Sequence, residues 1–326
     1  MIKVFIQSIY PAPYRVGVFN KINESENIEV DVVFEQENGD NRNREWFEKN
    51  IKFNNIILKE KDSIKTYKDK IKNIKKYDVV LAYDYSSSKS MKLMLKCLIN
   101  KKPYLINCDG AIIKPNFIKD CIKRFFIKRA TACLANGKSA KDYFLRYGAK
   151  EENIYIHKFS SLYEKDILKE PLNKKQKEKL RKELDLNYER IYLTIGSFTH
   201  RKGFDNLIEA INKVDSKNEY FVFIGGGEEI ENYNQKIKEY KINNIKIIDF
   251  KKKEELFKYY DASDVFVFPS VTETQGLVTI EAMMTGLPVV AIGEMGTADV
   301  MQGDNGGFMV KHDAEEFSAK VLALLS

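Results

Sequence analysis

Glu273 and Glu281 stand eight positions apart in VFVFPSVTETQGLVTIEAMMTGLPVVAIG, residues 265–293. A carboxylate repels phosphate, but each of its oxygens accepts a hydrogen bond from a hydroxyl, so the pair suits sugar hydroxyls. Spacing alone explains them equally well as an ordinary exposed helix residue and an acid placed near a helix N-terminus. Other residues of the same half favour a phosphorylated ligand. Gly196-Ser197-Phe198-Thr199-His200-Arg201-Lys202-Gly203 puts two fixed cations, Arg201 and Lys202, beside a helix start, where backbone N–H groups and the dipole already attract anions. Gly225-Gly226-Gly227 lets a backbone pass close to a ligand, a weak sign alone because any tight turn gives the same string. Thr274-Gln275-Gly276-Leu277 opens a further helix, and Gly276 bares N–H groups suited to a diphosphate. Helix side chains lean toward the N-terminus, so Glu281 points back toward that group. On this reading Glu281 takes the ribose hydroxyls of a nucleotide and Glu273 the hydroxyls of a second sugar.

The elements that must hold these residues follow from periodicity. Val265–Phe268 is a short apolar strand ended by Pro269, Gly276–Met284 a helix stopped by Gly286 and Pro288, and Val289–Ile292 the next buried strand. This is a βαβ unit of a parallel sheet, and Glu273 falls beyond a strand's carboxyl end, where ligands of open α/β sheets bind. Upstream the pattern repeats. Strands are expected at 191–196, 220–225 and 245–249, and helices at 204–212, 230–240 and 253–260.

The first half alternates in the same way. Strands are expected at 2–6, 28–34, 77–83, 103–107, 131–136 and 154–157, and helices at 16–22, 64–76, 90–100, 114–130 and 139–147. Alternation of this kind predicts doubly wound parallel sheets. The polar stretch 35–50, with the single tryptophan Trp46, reads as a solvated loop. Residues 163–188 are polar and Lys-rich, with a helix at 173–184. They divide an N-terminal domain, 1–162, from a C-terminal one, 189–326, and a cleft between domains is the default ligand site. Asp109 stands at a strand end beside Gly110, placed either to handle a proton of a hydroxyl or merely to close a turn.

Composition bounds the function. The 326 residues are 44% hydrophobic and 31% charged, those of an ordinary soluble protein of about two domains. No apolar run approaches the ~18–20 residues of a membrane span, and MIKVFIQSIYPAPYR is too short and interrupted for a signal peptide. Cys97, Cys108, Cys121 and Cys133 lack CxxC spacing and read as reduced, mostly buried thiols. The net charge of +7 is uneven, because residues 1–160 hold 31 Lys+Arg against 19 Asp+Glu. A basic first half predicts an anionic partner. In KPNFIKDCIKRFFIKRA, residues 114–130, apolar residues recur at three- and four-residue spacing between Lys and Arg. Such a helix either lies on an anionic membrane or packs its aromatic face on its own sheet, the second being the default.

Taken together, PSVTETQGLVTIEAMMTGLPVVA, GSFTHRKGFDNLIEAI and FVFIGGGEE resemble the donor domain of retaining family-4 glycosyltransferases, well over residues 190–312 and more loosely in the first half. The resemblance implies the GT-B fold, two Rossmann-like domains facing across a cleft, and a hexosyltransferase of the EC 2.4 class. It implies a nucleotide-diphosphate sugar, most simply a UDP-sugar, as donor substrate, with no cofactor and no metal, and retention of anomeric configuration. Glu273 then contacts the donor sugar, Glu281 the ribose, Lys202 the leaving diphosphate, and Gly276 presents amides to it. Gly196, Arg201, Gly225, Gly226, Thr274, Gln275 and Leu277 complete the donor site. Asp109, in the place of a catalytic His or Asp, together with Tyr14 and Arg15, forms the acceptor side. Three departures stand out: Ser197 where many members have Arg, so that Arg201 supplies the second cation; Gln275 where Phe is common; and PAPYR where many have a Gly-Gly loop. The chain stops at Ser326, soon after 317–325, where members usually continue through a crossing helix, so a short or truncated member is expected. The expected setting is cytoplasmic and peripheral at the inner membrane face, with a glycan or lipid-linked acceptor and no nucleic acid. The rivals are a sugar-nucleotide epimerase on the same fold and a non-catalytic binding subunit.

Overall fold

The computed structural model describes residues 1–39, 47, 49–109, 116–157, 161–163, 166–168, 170–213, 219–270, 273, 276–292, 301 and 307–310. The chain divides into two compact units, Met1–Ser161 and Leu162–Ser326.

In the first unit β1 (Ile2–Ser8), α1 (Pro13–Asn23), β2 (Ile28–Phe34), β3 (Asn54–Ile57), α2 (Lys61–Lys72), β4 (Val79–Ala82), α3 (Ser88–Ile99), β5 (Tyr104–Cys108), α4 (Phe117–Ile127), β6 (Ala132–Ala135), α5 (Lys138–Arg146) and β7 (Ile154–Ile156) follow one another. The strands form one sheet in the order β3-β2-β1-β4-β5-β6-β7, every neighbouring pair parallel. The second unit runs α6 (Lys174–Glu183), β8 (Arg190–Ser197), α7 (Phe204–Asn212), β9 (Glu219–Gly226), α8 (Ile230–Glu239), β10 (Ile245–Ile248), α9 (Lys253–Ala262), β11 (Val265–Phe268), α10 (Leu277–Met284), β12 (Val289–Ile292) and β13 (Gly307–Val310). Its sheet order is β10-β9-β8-β11-β12-β13, again all parallel.

Both sheets are therefore doubly wound, as the alternation predicted, and both reverse direction beside their first strand, at β1/β4 and at β8/β11. Helices cover both faces. Phe5 and Val80 feed one core cluster and the adjacent Ile6 and Leu81 another. Tyr192 and Val265 likewise part from Leu193 and Phe266. Adjacent strand residues point to opposite faces, so burial of both sets explains why these strands read as unbroken apolar runs.

Four local departures have physical causes. α1 begins at Pro13, because a proline at the first helical position loses no needed hydrogen bond. β3 was not expected: its Asn-Asn-Ile-Ile follows a polar stretch and pairs with β2 only along one edge. β13, also unforeseen, pairs with β12. In α4 the default packing of the aromatic face on its own sheet is wrong for most of its residues. Phe126 and Ile127 are buried, whereas Phe117 is 84% exposed, Ile118 71% and Phe125 41%. Cys97, Cys108 and Cys133 are buried, but Cys121, on the same helix, is exposed. Trp46 in the expected solvated loop, and the segment 317–325, lie outside the described residues.

The glycine string has a tight local cause. β8 and β9 run in register to Gly196↔Gly225 and Ser197↔Gly226. A Cβ on Gly225 would lie 1.8 Å from the Gly196 carbonyl oxygen, and one on Gly227 2.4 Å from that of Phe198, whereas one on Gly226 meets nothing within 4 Å. Gly225→Ala should therefore cost more than about 3 kcal/mol in denaturant unfolding and Gly226→Ala less than about 0.5 kcal/mol. Equal costs would show that the strand ends do not approach in this way.

Candidate functional site

The second unit brings its predicted site residues together at the carboxyl ends of β8 and β11. After β8 the chain makes a single 3₁₀ turn, His200–Lys202, and Gly203 then takes the left-handed conformation, φ 66°, that launches α7. That turn aims Lys202 back toward β11, where its ammonium forms an ion pair with Glu273. Both side chains are only 13% exposed. The ammonium also lies 5.4 Å from the centre of the Phe268 ring, and Arg201 Nη1 stands 3.5 Å from the same Glu273 oxygen. The Ser270 hydroxyl donates to the Arg201 carbonyl at 3.4 Å, tying the two loops together. Two cations thus converge on one carboxylate. His200, 3.3 Å from Asp205, is turned outward, its side chain 87% exposed.

α10 begins in the same way as α7. Gly276 is left-handed, φ 63°, and in both helices the N-cap residue is a glycine with no side chain to cap the first turn. N–H groups of a first turn suit an outside acceptor; in α10 the Thr279 N–H already donates to the Gly276 carbonyl at 2.8 Å. Glu281, one turn into α10, accepts a hydrogen bond from the Tyr260 hydroxyl at 2.9 Å. Burial and then the Glu281 carboxylate push the Tyr260 phenol well above its ordinary range, so it remains a donor. Glu273 and Glu281 accordingly have different surroundings, cations for one and a neutral donor for the other. A Cβ on Gly196 would meet Phe204 and Lys202 only at ordinary contact distance, one on Gly226 would meet nothing, and Leu277 is the first residue of α10. Thr274 and Gln275 lie outside the described residues.

In the first unit the predicted acceptor-side residues also meet, but around a buried cation. Arg15 Nη1 and Nη2 contact the two Asp84 oxygens at 2.6 and 3.0 Å, and Nη2 reaches Asp109 Oδ2 at 2.8 Å. The guanidinium is stacked near Tyr10, Tyr14 and Tyr83. Arg15, 6% exposed, thus holds two acids in place. The Asn107 side-chain amide donates to Asp109 Oδ1 at 2.6 Å, and His157 Nε2 lies 2.7 Å from Asn107 Oδ1. Burial lowers the His157 pKa from its ordinary value, partly offset by Asp109. Both Asp109 oxygens therefore already accept hydrogen bonds. The cluster sits at the carboxyl end of the sheet, beside the β1/β4 switch point.

Asp84, Asn107, His157, Tyr260 and Phe268 escaped the sequence reading. Asp84 and His157 each follow a strand, a signal that could have found them; Tyr260, in the middle of a helix, offered none. Among the described residues, no three His, Cys, Asp or Glu side chains are grouped to hold a metal ion, and no helix is long and apolar enough to cross a membrane.

Residues 176–326 match the family model described as Glycosyl transferases group 1. An uncharacterised glycosyltransferase of Methanocaldococcus jannaschii is 29% identical over 233 residues, 67% of this chain and 62% of that protein. The amylovoran biosynthesis glycosyltransferase AmsK of Erwinia amylovora is 28% identical over 142 residues, 40% of this chain and 35% of AmsK. The alignments thus span less than two thirds of these relatives. Among solved structures, Anabaena HepE in complex with UDP superposes with a TM-score of 0.77 at 16% identity, covering 100% of this chain and 90% of HepE, a likeness of fold. The family match thus lies on the second unit, residues 176–326, and the two doubly wound parallel sheets are those of the GT-B fold.

Proposed function

We propose that the chain transfers a sugar from a nucleotide-diphosphate donor, a UDP-sugar, to a hydroxyl of a glycan or lipid-linked acceptor, with retention of anomeric configuration. The observation that carries this reading is the convergence of Lys202, Arg201 and two helix N-termini with glycine N-caps beside Glu273. The UDP bound in the HepE structure supports the choice of nucleotide. The role of AmsK in amylovoran biosynthesis supports polysaccharide or surface-glycan assembly, and the proposed setting is the cytoplasmic face of a membrane.

Charge dictates the division of labour. When the bond from the anomeric carbon to the diphosphate oxygen breaks, its electron pair stays on the diphosphate and positive charge develops on the sugar. Lys202, Arg201 and the N–H groups opening α10 stabilise the departing diphosphate, an electrostatic effect of several kcal/mol in a partly dry site. Glu273 holds sugar hydroxyls and lies close to the positive charge that develops on the ring. Glu281, fixed by Tyr260, accepts from the ribose hydroxyls. The acceptor oxygen attacks on the face the diphosphate leaves, and its proton passes to the departing phosphate oxygen. Asp109, held by Arg15 and Asn107, orients the acceptor hydroxyl. Fixed cations meet the charge on the leaving group, so the proposal assigns no metal or cofactor.

Screening sugar nucleotides by thermal stabilisation should give one preferred UDP-sugar, since a ligand that binds only the native state raises its melting temperature. With that donor, Lys202→Ala and Glu273→Ala should each lower kcat by about 10² to 10³-fold, and a chelator should leave the rate unchanged. Undiminished turnover in both variants would overturn the site assignment. Tyr260→Phe should weaken UDP binding by about threefold to tenfold through the loss of one hydrogen bond to a carboxylate, with kcat retained. An unaltered UDP affinity would show that Tyr260 does not position Glu281.

A further inference from the structure

We propose that the outward face of α4 is a docking surface for an anionic lipid bilayer. At about 100° per residue, Phe117, Ile118, Cys121, Ile122 and Phe125 share one face roughly 140° wide. An ordinary surface helix turns such a face inward. Here Phe126 and Ile127, from the opposite side, enter the core, and Phe117, Ile118, Ile122 and Phe125 are all exposed.

The inner side is held by other means. Tyr147 donates to Asp120 Oδ1 at 2.8 Å, and Lys123 lies 4.9 Å from the centre of the Tyr147 ring. These contacts fix the rotation of the helix and leave its apolar stripe turned to the surface.

Charge selects the occupant. Lys119, Arg124, Lys128 and Arg129 are exposed around the stripe, and the Arg129 guanidinium stacks 4.2 Å from the centre of the Phe125 ring. Long basic side chains can lay their stems on an apolar surface and keep their heads in water. Protein-interface cores are depleted of lysine, whereas aromatic and aliphatic tips ringed by Lys and Arg fit the boundary of an anionic membrane. The excess of basic residues in residues 1–160 extends the same field.

Topology gives the docked surface a direction. α4 connects two parallel neighbours, β5 and β6, so its N-terminal end lies at the carboxyl edge of the sheet. Phe117 and Ile118, its most exposed apolar residues, stand at that end, as does the Asp109 cluster. A bilayer on α4 therefore lies toward the edge of this unit that carries Asp109, which is where the hydroxyl of a membrane-bound acceptor would be presented. That last consequence rests on the proposed transfer reaction; the docking surface does not.

The test is flotation of the full chain with vesicles of phosphatidylcholine alone or mixed with phosphatidylglycerol. The chain should rise with the anionic vesicles only, and rising salt should release it. The pairs Phe117→Ser/Ile118→Ser and Lys119→Glu/Arg124→Glu should each reduce partitioning by about tenfold or more, while melting temperature and stabilisation by UDP stay as in the parent. Failure of the parent to float, or variants that float equally well, would overturn the proposal. So would sedimentation showing a parent dimer that the apolar variant converts to monomer, since a second copy would then be the occupant. Flotation reads no turnover, so it stands or falls apart from the assigned reaction.

Discussion

The second unit depends on one ion pair, Lys202 with Glu273, held largely away from water at a sheet's switch point. Removing Glu273 takes away the acid that Lys202 and Arg201 share, at a cost on the order of 3 kcal/mol, whereas removing Lys202 still leaves Arg201 beside the acid. The pair therefore constrains both loops, one leaving β8 and one leaving β11. It also fixes a contradiction that the chemistry can use. The ammonium suits a diphosphate and the carboxylate suits sugar hydroxyls, yet each occupies the other. A donor carrying both groups satisfies the two at once, whereas a ligand with only the phosphates must take the ammonium from the acid. Arg201, more exposed and 3.5 Å away, keeps the local balance positive.

The first unit repeats the device with different residues. There the cation is Arg15, in the helix after β1, and the acid is Asp84, just after β4. These places correspond to those of Lys202 and Glu273 in the second sheet. The fork of the guanidinium reaches a second acid, Asp109, which the single ammonium could not hold as well. The common cause is the topology. Where a doubly wound sheet reverses, loops from two adjacent strands separate and leave a crevice, and opposite charges can bridge it. In one unit the bridge buries an arginine beneath three tyrosines; in the other it stays beside two helix N-termini whose N-cap residues are glycines.

Much of this was legible in the residues, for identifiable reasons. β11, β12 and α7 were read close to their observed bounds because apolar runs and glycine stops leave few alternatives. The link between Lys202 and Glu273 was legible as two motifs serving one ligand, but not as a direct contact, since 71 positions separate them and only the β8/β11 pairing joins them. Tyr260 was invisible for the same reason, its role arising from α9 packing against α10. Gly225 was read as a ligand approach, whereas its immediate cause is the carbonyl of Gly196. α4 shows the opposite limit. Its periodicity was plain, but periodicity gives a face and not the direction in which it turns, and two buried residues at the helix end settled that.

The most direct test of the central pair is the affinity of UDP, without a sugar, for Glu273→Gln measured by calorimetry. If Glu273 competes with the diphosphate for Lys202, neutralising it frees the ammonium and removes a repulsion. UDP should then bind about fivefold more tightly or better, a gain of about 1 kcal/mol, although the variant has lost the acid that the transferred sugar needs. UDP affinity equal to or weaker than that of the parent would contradict the account, because Lys202 and Glu273 would then not be sharing one site with the donor.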